Sequence, residues 1–238
     1  MLIRFVINNI FSFGSQKEFT LIPNNRLKTL VEHNYQYNDF QILKMASIYG
    51  ANGAGKSNLI KALSLFKRII TAEGNIRFIK NNEFKFHSKY VNKPQLFAIE
   101  FIQDDVPFYY AVEIYENVIK TEELYVSGLG LNEDKLIYER KTDLNNITQI
   151  RFLSDFEKDA KSKILKDVLL EDFVKPNELI LKLISNRDNE YLQVAKKAYK
   201  WFSDTLKIIM PDSQPMALVQ RMESDSHFKA YAENIMCS

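Results

Sequence analysis

Eight consecutive residues, Gly50-Ala51-Asn52-Gly53-Ala54-Gly55-Lys56-Ser57, carry the clearest chemistry in this chain. They satisfy the pattern G-x-x-x-x-G-K-[ST], that of a loop that wraps phosphates. Three glycines let successive backbone N–H groups turn toward one concavity, and a helix starting at its end adds partial positive charge. Lys56 is expected to reach the outer phosphates and stabilise charge on a transferring phosphoryl group, which makes it the candidate catalytic residue. Ser57 is the candidate Mg²⁺ ligand. With Asn58, the residues Gly50, Ala51, Asn52, Gly53, Ala54, Gly55, Lys56 and Ser57 form the expected nucleotide-binding set.

Other constellations are weaker. His33, His87 and His227 lie far apart and lack metal-ligand spacing with the single cysteine, Cys237, so zinc and an internal disulfide framework are both disfavoured. The net charge is only +2, which gives no overall electrostatic case for nucleic acid. Between Lys61 and Tyr90, however, Lys61, Lys67, Arg68, Arg77, Lys80, Lys85 and Lys89 alternate with Phe78, Phe84 and Phe86. Such a run can bind nucleic acid, but a solvated helix face followed by a loop accounts for it equally well.

The elements around the loop follow from periodicity. Met45-Ala46-Ser47-Ile48-Tyr49 reads as a short apolar strand entering it, and Leu59, Ile60, Leu63, Phe66, Ile69 and Ile70 give a helix leaving it, with Gly74 as the stop. Residues 2–8 and 18–22 read as an antiparallel strand pair joined by a turn at Gly14-Ser15. The Asn- and Tyr-rich stretch 26–41 has no clear period and reads as a surface excursion. Candidate strands at 95–101, 108–115, 118–126 and 135–140 are too closely spaced for parallel crossovers and predict an antiparallel meander. Beyond Asn145 the pattern turns helical at 154–171, 189–206 and 225–236, with an apolar run at 178–184 that reads as a strand. These limits give three parts: 1–90 with the loop, 91–145 as a β insertion, and 146–238 as a helical segment. Composition, 46% hydrophobic and 26% charged, is that of a globular protein, and no apolar run approaches the roughly 18 residues of a membrane span. A cytoplasmic location without membrane partners is expected.

The stretch from Tyr49 to Leu59, with Asn58 after Ser57, resembles the Walker A sequence of ABC-type ATPases related to RecF, SMC and the OLD proteins. Asn9-Ile10-Phe11-Ser12-Phe13 is similar to the N-F-R-S-F that opens many of them, with Phe11 where they carry a basic residue that can contact nucleotide. Glu123-Leu124-Tyr125 and Leu136-Ile137-Tyr138-Glu139-Arg140 resemble the β insertion of a prokaryotic AAA branch with members in anti-phage defence. The resemblance implies an α/β P-loop NTPase fold, the N-terminal lobe of an ABC-type ATPase head. It also implies ATP and Mg²⁺ as ligands, and ATP-dependent pairing into a homodimer or hetero-oligomer.

Such an ATPase also needs a Walker B strand ending Asp-Glu, the Asp supporting Mg²⁺ and the Glu activating water. Residues 97–105 and 167–172 only imitate it: one places Glu100 inside the apolar run and ends Asp104-Asp105, the other has a short run at a helix end. Ser127-Gly128-Leu129-Gly130 has the letters of a signature loop but reads as a turn between strands. Gln149, Ser185 and Asn186 are weak candidates for a polar residue contacting Mg²⁺ and water. The chain is therefore expected to be the N-terminal lobe of a longer ATPase, or a truncated and inactive product. A nucleotide-switched binding module with little hydrolysis is the alternative.

Overall fold

The computed structural model describes residues 1–24, 31–72, 76, 79–210 and 221–236. They fall into two units, Met1–Leu206 and Lys207–Ser238.

The first unit is built on a seven-stranded antiparallel sheet. Its strands are β1 (Leu2–Asn8), β2 (Lys17–Thr20), β5 (Gln95–Gln103), β6 (Val106–Tyr115), β7 (Val118–Val126), β8 (Lys135–Thr142) and β9 (Thr148–Phe152), in the order β2-β1-β5-β6-β7-β8-β9. The predicted meander is present, and it is continuous with the amino-terminal pair because β5 hydrogen-bonds to β1, with Phe5 opposite Ile99. The β5–β6 hairpin turns at Asp104-Asp105 and the β6–β7 hairpin at Glu116-Asn117, each with both residues at positive φ, as tight two-residue turns require. The 97–105 Walker B imitation is thus a hairpin strand and its turn. A separate hairpin, β3 (Asn34–Tyr37) with β4 (Phe40–Leu43), occupies much of the predicted excursion 26–41, of which residues 26–30 lie outside the described residues. Its Ile42 packs with Ile3 and Ile102, and Tyr37 Oη donates to Asp105 O at 2.8 Å.

Alternation places one row of each strand against the helices. Helix α1 (Lys56–Thr71) buries Ala62, Leu65, Phe66, Ile69 and Ile70. Phe66 stacks on Phe97 at 4.9 Å and meets Tyr110 at 5.7 Å and Phe202 at 5.8 Å. The helix stops at Thr71, three residues before Gly74, which lies outside the described residues.

The predicted helix 154–171 is divided. It comprises α2 (Ser154–Lys158), α3 (Ala160–Val168) and a wider π turn, Leu169–Phe173, so the 167–172 imitation is a helix end. The division falls at Asp159, whose extended backbone ends α2 and whose carboxylate caps α3 by accepting from Ser162 N at 2.8 Å and Ser162 Oγ at 2.7 Å.

The strand reading of 178–184 is corrected: Ile180–Ser185 is helix α4. Its first amides, Ile180 N and Leu181 N, donate to the buried Glu122 carboxylate of β7, giving the helix start a negative partner. Glu122 also accepts from Tyr110 Oη at 3.0 Å and Tyr138 Oη at 2.8 Å and lies 3.6 Å from the buried Arg140 guanidinium. Arg140 in turn donates to Glu178 O and Lys175 O. Burial, followed by the negative charge of Glu122, holds both phenols well above the ordinary tyrosine pKa. They therefore remain protonated donors.

Helix α5 (Gln193–Lys200) continues into a π turn, Trp201–Thr205, and buries Ala195, Ala198, Trp201 and Phe202 against the same core. Phe101 stacks on Trp201 at 4.2 Å.

In the second unit, α6 (Ser226–Met236) is capped by Asp225, which accepts from Phe228 N at 2.9 Å. Arg221 pairs with Asp225 at 3.5 Å and lies over the Phe228 ring. Among the described residues no helix is long and apolar enough to cross a membrane.

Candidate functional site

The glycine-rich loop stands at the start of α1 as the spacing predicts. Gly53 has φ +80° and Gly55, the residue before the helix, φ +91°, conformations that side-chain-bearing residues rarely adopt. A Cβ on Gly53 would meet nothing within 4 Å, so there the positive φ, not crowding, is what calls for glycine. At Gly55 it would lie 3.0 Å from Ser12 Oγ and 3.3 Å from the Phe13 ring, so this glycine also permits close approach of the turn after β1.

Residues 52–58 line a shallow hollow of about 270 Å³. The first amides of α1 have no acceptor within the helix and no acidic residue sits in the first turn, which leaves the hollow electropositive. Lys56 folds over the loop: Nζ donates to Gly50 O at 2.6 Å and Ala51 O at 2.8 Å. An ammonium has three N–H bonds, so one is left for an anion in the hollow. The donor set of amides, an ammonium and the Ser57 hydroxyl fits a polyphosphate. For a divalent cation it supplies one hydroxyl and no carboxylate.

Asn58, assigned to the ligand set, has a second engagement. Its Nδ2 donates to Ser12 Oγ at 3.1 Å, tying the helix start to the turn following β1. Backbone strain shapes that turn, with Asn9 at φ +55° and Phe11 at φ +50°. Asn9 is fully buried and holds the turn to the 82–93 loop: Nδ2 donates to Lys93 O at 2.8 Å and Tyr90 O at 3.2 Å, and Oδ1 accepts from Phe84 N at 3.3 Å. Phe11 N donates to Asn82 O at 2.6 Å. The side-chain bond from Ser12 to the phosphate loop is the functional feature that sequence reasoning missed; the Asn9-to-Phe13 similarity was its only signal.

The predicted strand Met45 to Tyr49 is corrected as well. These residues form no regular element, and Met45 and Tyr49 are 72% and 90% exposed. An apolar segment becomes a strand only when another strand accepts its backbone, and none does so among the described residues.

The remaining candidates lie elsewhere. Gln149 is exposed on β9, Ser185 Oγ donates to Lys182 O at 2.8 Å, and Asn186 borders a cleft with Glu178, Lys182 and Ile69. None of them lines the phosphate-loop hollow. Ser127-Gly128-Leu129-Gly130 is the β7–β8 turn, in which Ser127 Oγ donates to Glu100, Leu129 N donates to Ser127 Oγ, and Gly128 N donates to Asp134 at 2.7 Å. Among the described residues no cluster of His, Cys, Asp or Glu could hold a metal ion.

A glycine-rich loop opening a helix that packs on a mixed α/β core defines a P-loop nucleotide-binding protein. The family model described as "AAA domain, putative AbiEii toxin, Type IV TA system" matches residues 45–233, from the segment entering the loop into α6. The chain belongs to this AAA family, whose domain is that of a nucleotide-binding P-loop ATPase. No curated protein matches the chain.

Proposed function

We propose that the chain binds ATP through residues 50–58 and serves as the nucleotide-gripping half of an ATPase of the RecF, SMC and OLD type. The observation that carries this reading is the hollow at the start of α1, lined by residues 52–58 and containing no carboxylate. The amides of residues 53–57 cradle the phosphates, Lys56 neutralises developing charge, and Ser57 is the protein ligand of Mg²⁺. Mg²⁺ held at the Ser57 hydroxyl would supply positive charge that lowers the cost of charge in the transferring group.

Hydrolysis needs a base or water-positioning carboxylate at the outer phosphate. In this proposal that group comes from another polypeptide segment, in a homodimer or hetero-oligomer closed around ATP. The exposed, apolar and unpaired Met45 to Tyr49 supports it, because such a segment gains both burial and hydrogen bonds when strands are added beside it. A role in anti-phage defence or DNA maintenance, in the cytoplasm, is part of the same proposal.

The test is calorimetric titration of the 238-residue chain with ATP and Mg²⁺. Weak saturable binding is expected, lost in Lys56→Ala; equal affinity in that variant contradicts the assignment. The carboxylate-free hollow also favours a second reading, a nucleotide-switched binding module with little hydrolysis. Duplex DNA titrations across a salt series with and without ATP separate the two, since a phosphate-tracking switch gains ATP-dependent affinity that falls steeply with salt.

A further inference from the structure

The 84–90 loop presents an aromatic group that the phosphate site does not use. Phe86 is 84% exposed, an unusual placement for a ring of this size, and Lys85, His87, Ser88 and Lys89 around it are also exposed. The platform behind it is built. Phe84 meets Phe86 edge to face at 5.6 Å and Tyr90 at 5.2 Å, and Lys89 Nζ lies 4.8 Å from the Tyr90 ring centroid. The backbone is pinned from both sides: Lys89 N donates to His87 Nδ1 at 3.1 Å, and the buried Asn9 holds Tyr90 O, Lys93 O and Phe84 N.

This platform and the phosphate loop flank the same short turn. Phe13 and Ser12 lie against Gly55, while the next residue, Gly14, lies so close to Phe84 and Tyr90 that an added Cβ would be 2.9 Å and 2.6 Å from their rings. The fold thus links an exposed ring flanked by cations to the polyphosphate site through one short turn.

We propose that residues 84–90 seat the base of the nucleotide whose phosphates are held by residues 50–57, with Phe86 as the stacking surface; this rests on the phosphate-loop reading above. Stacking on an aromatic face is tolerant of base identity and grows with ring area. Among the exposed residues 85–89 there is no carboxamide to read adenine and no carboxylate to read cytosine, and of the two lysines that could read guanine, Lys89 lies over the Tyr90 ring. The seat therefore selects purine over pyrimidine nucleoside triphosphates and distinguishes ATP from GTP weakly.

The test titrates the 238-residue chain with ATP, GTP, CTP and inorganic tripolyphosphate in Mg²⁺ by calorimetry, beside Phe86→Ala, Phe86→Tyr and Lys56→Ala. In the native chain ATP and GTP bind alike, CTP more weakly, and tripolyphosphate weakest. Phe86→Ala weakens ATP and GTP about 5- to 100-fold and leaves tripolyphosphate unchanged, Phe86→Tyr retains purine affinity, and Lys56→Ala weakens all four. The seat is overturned alone if tripolyphosphate binds in a Lys56-dependent way but ATP gains nothing over it, or if Phe86→Ala leaves ATP affinity intact. Loss of binding to a short single-stranded DNA in Phe86→Ala, with ATP affinity unchanged, would make the loop a nucleic-acid platform and overturn it too. Absence of both ATP and tripolyphosphate binding by the native chain would remove the phosphate-loop reading and the seat together.

Discussion

Asn58 Nδ2, in the first turn of α1, lies 3.1 Å from Ser12 Oγ in the turn after β1. This bond connects the phosphate loop to the turn between β1 and β2, and it holds the helix start where the Gly55 backbone approaches Phe13. A side-chain hydrogen bond of this kind contributes about 1 kcal/mol. Ser12→Ala is expected to weaken ATP binding about fivefold and to lower the melting temperature by only about 2–4 °C. Unchanged affinity, measured by calorimetry, would show that the turn does not position the loop.

Glu122 and Arg140 form the costliest polar arrangement in the core. Both side chains are fully buried, and the carboxylate gathers two phenols and two backbone amides while the guanidinium holds two carbonyls. Removing one charge strands the other in a medium that solvates it poorly, so Glu122→Ala is expected to destabilise the fold by about 3–5 kcal/mol. The double variant Glu122→Leu with Arg140→Met recovers part of that loss, because no charge is left unpaired. Urea denaturation midpoints of the three proteins check the order; a double variant less stable than Glu122→Ala would refute it.

Asp159 offers a pH signature. The Ser162 hydroxyl, then the Ser162 amide, hold its carboxyl below the usual aspartate range. A depressed folded-state pKa contributes stability above the unfolded value, near 3.9, and that contribution is lost as pH falls through the folded value. Asp159→Ala should therefore melt at a lower temperature than the native chain at neutral pH, and the difference should narrow below about pH 4. A constant difference from pH 7 to pH 3 would mean that capping by the charged carboxylate is not what the variant removes.

These relationships divide into those carried by local pattern and those made only in space. Alternation was enough to read β1, β2 and the meander, and the spacing of Leu59, Leu63, Phe66 and Ile70 was enough for α1. The run Leu179-Ile180-Leu181-Lys182-Leu183-Ile184 fits a buried strand or a buried helix equally, and the helix is the form whose first amides the Glu122 carboxylate accepts, 58 residues earlier in the chain. Strand β9 was missed because five residues, Thr148 to Phe152, carry too short an alternation to stand out before the helices that follow. Met45 to Tyr49 failed in the opposite sense, since a strand-like composition does not supply the neighbouring strand. At the site, the phosphate loop was legible because every residue of its pattern is local. The bond from Asn58 to Ser12 spans 46 residues and no local pattern encodes it.

The most direct test of the central claim is single-turnover hydrolysis of ATP by the isolated 238-residue chain with Mg²⁺, beside Lys56→Ala, at protein concentrations where the native chain binds nucleotide. With a phosphate cradle that lacks a catalytic carboxylate, both proteins should release phosphate at the background rate while only the native chain retains ATP. Rapid phosphate release by the native chain, abolished by Lys56→Ala, would contradict the account.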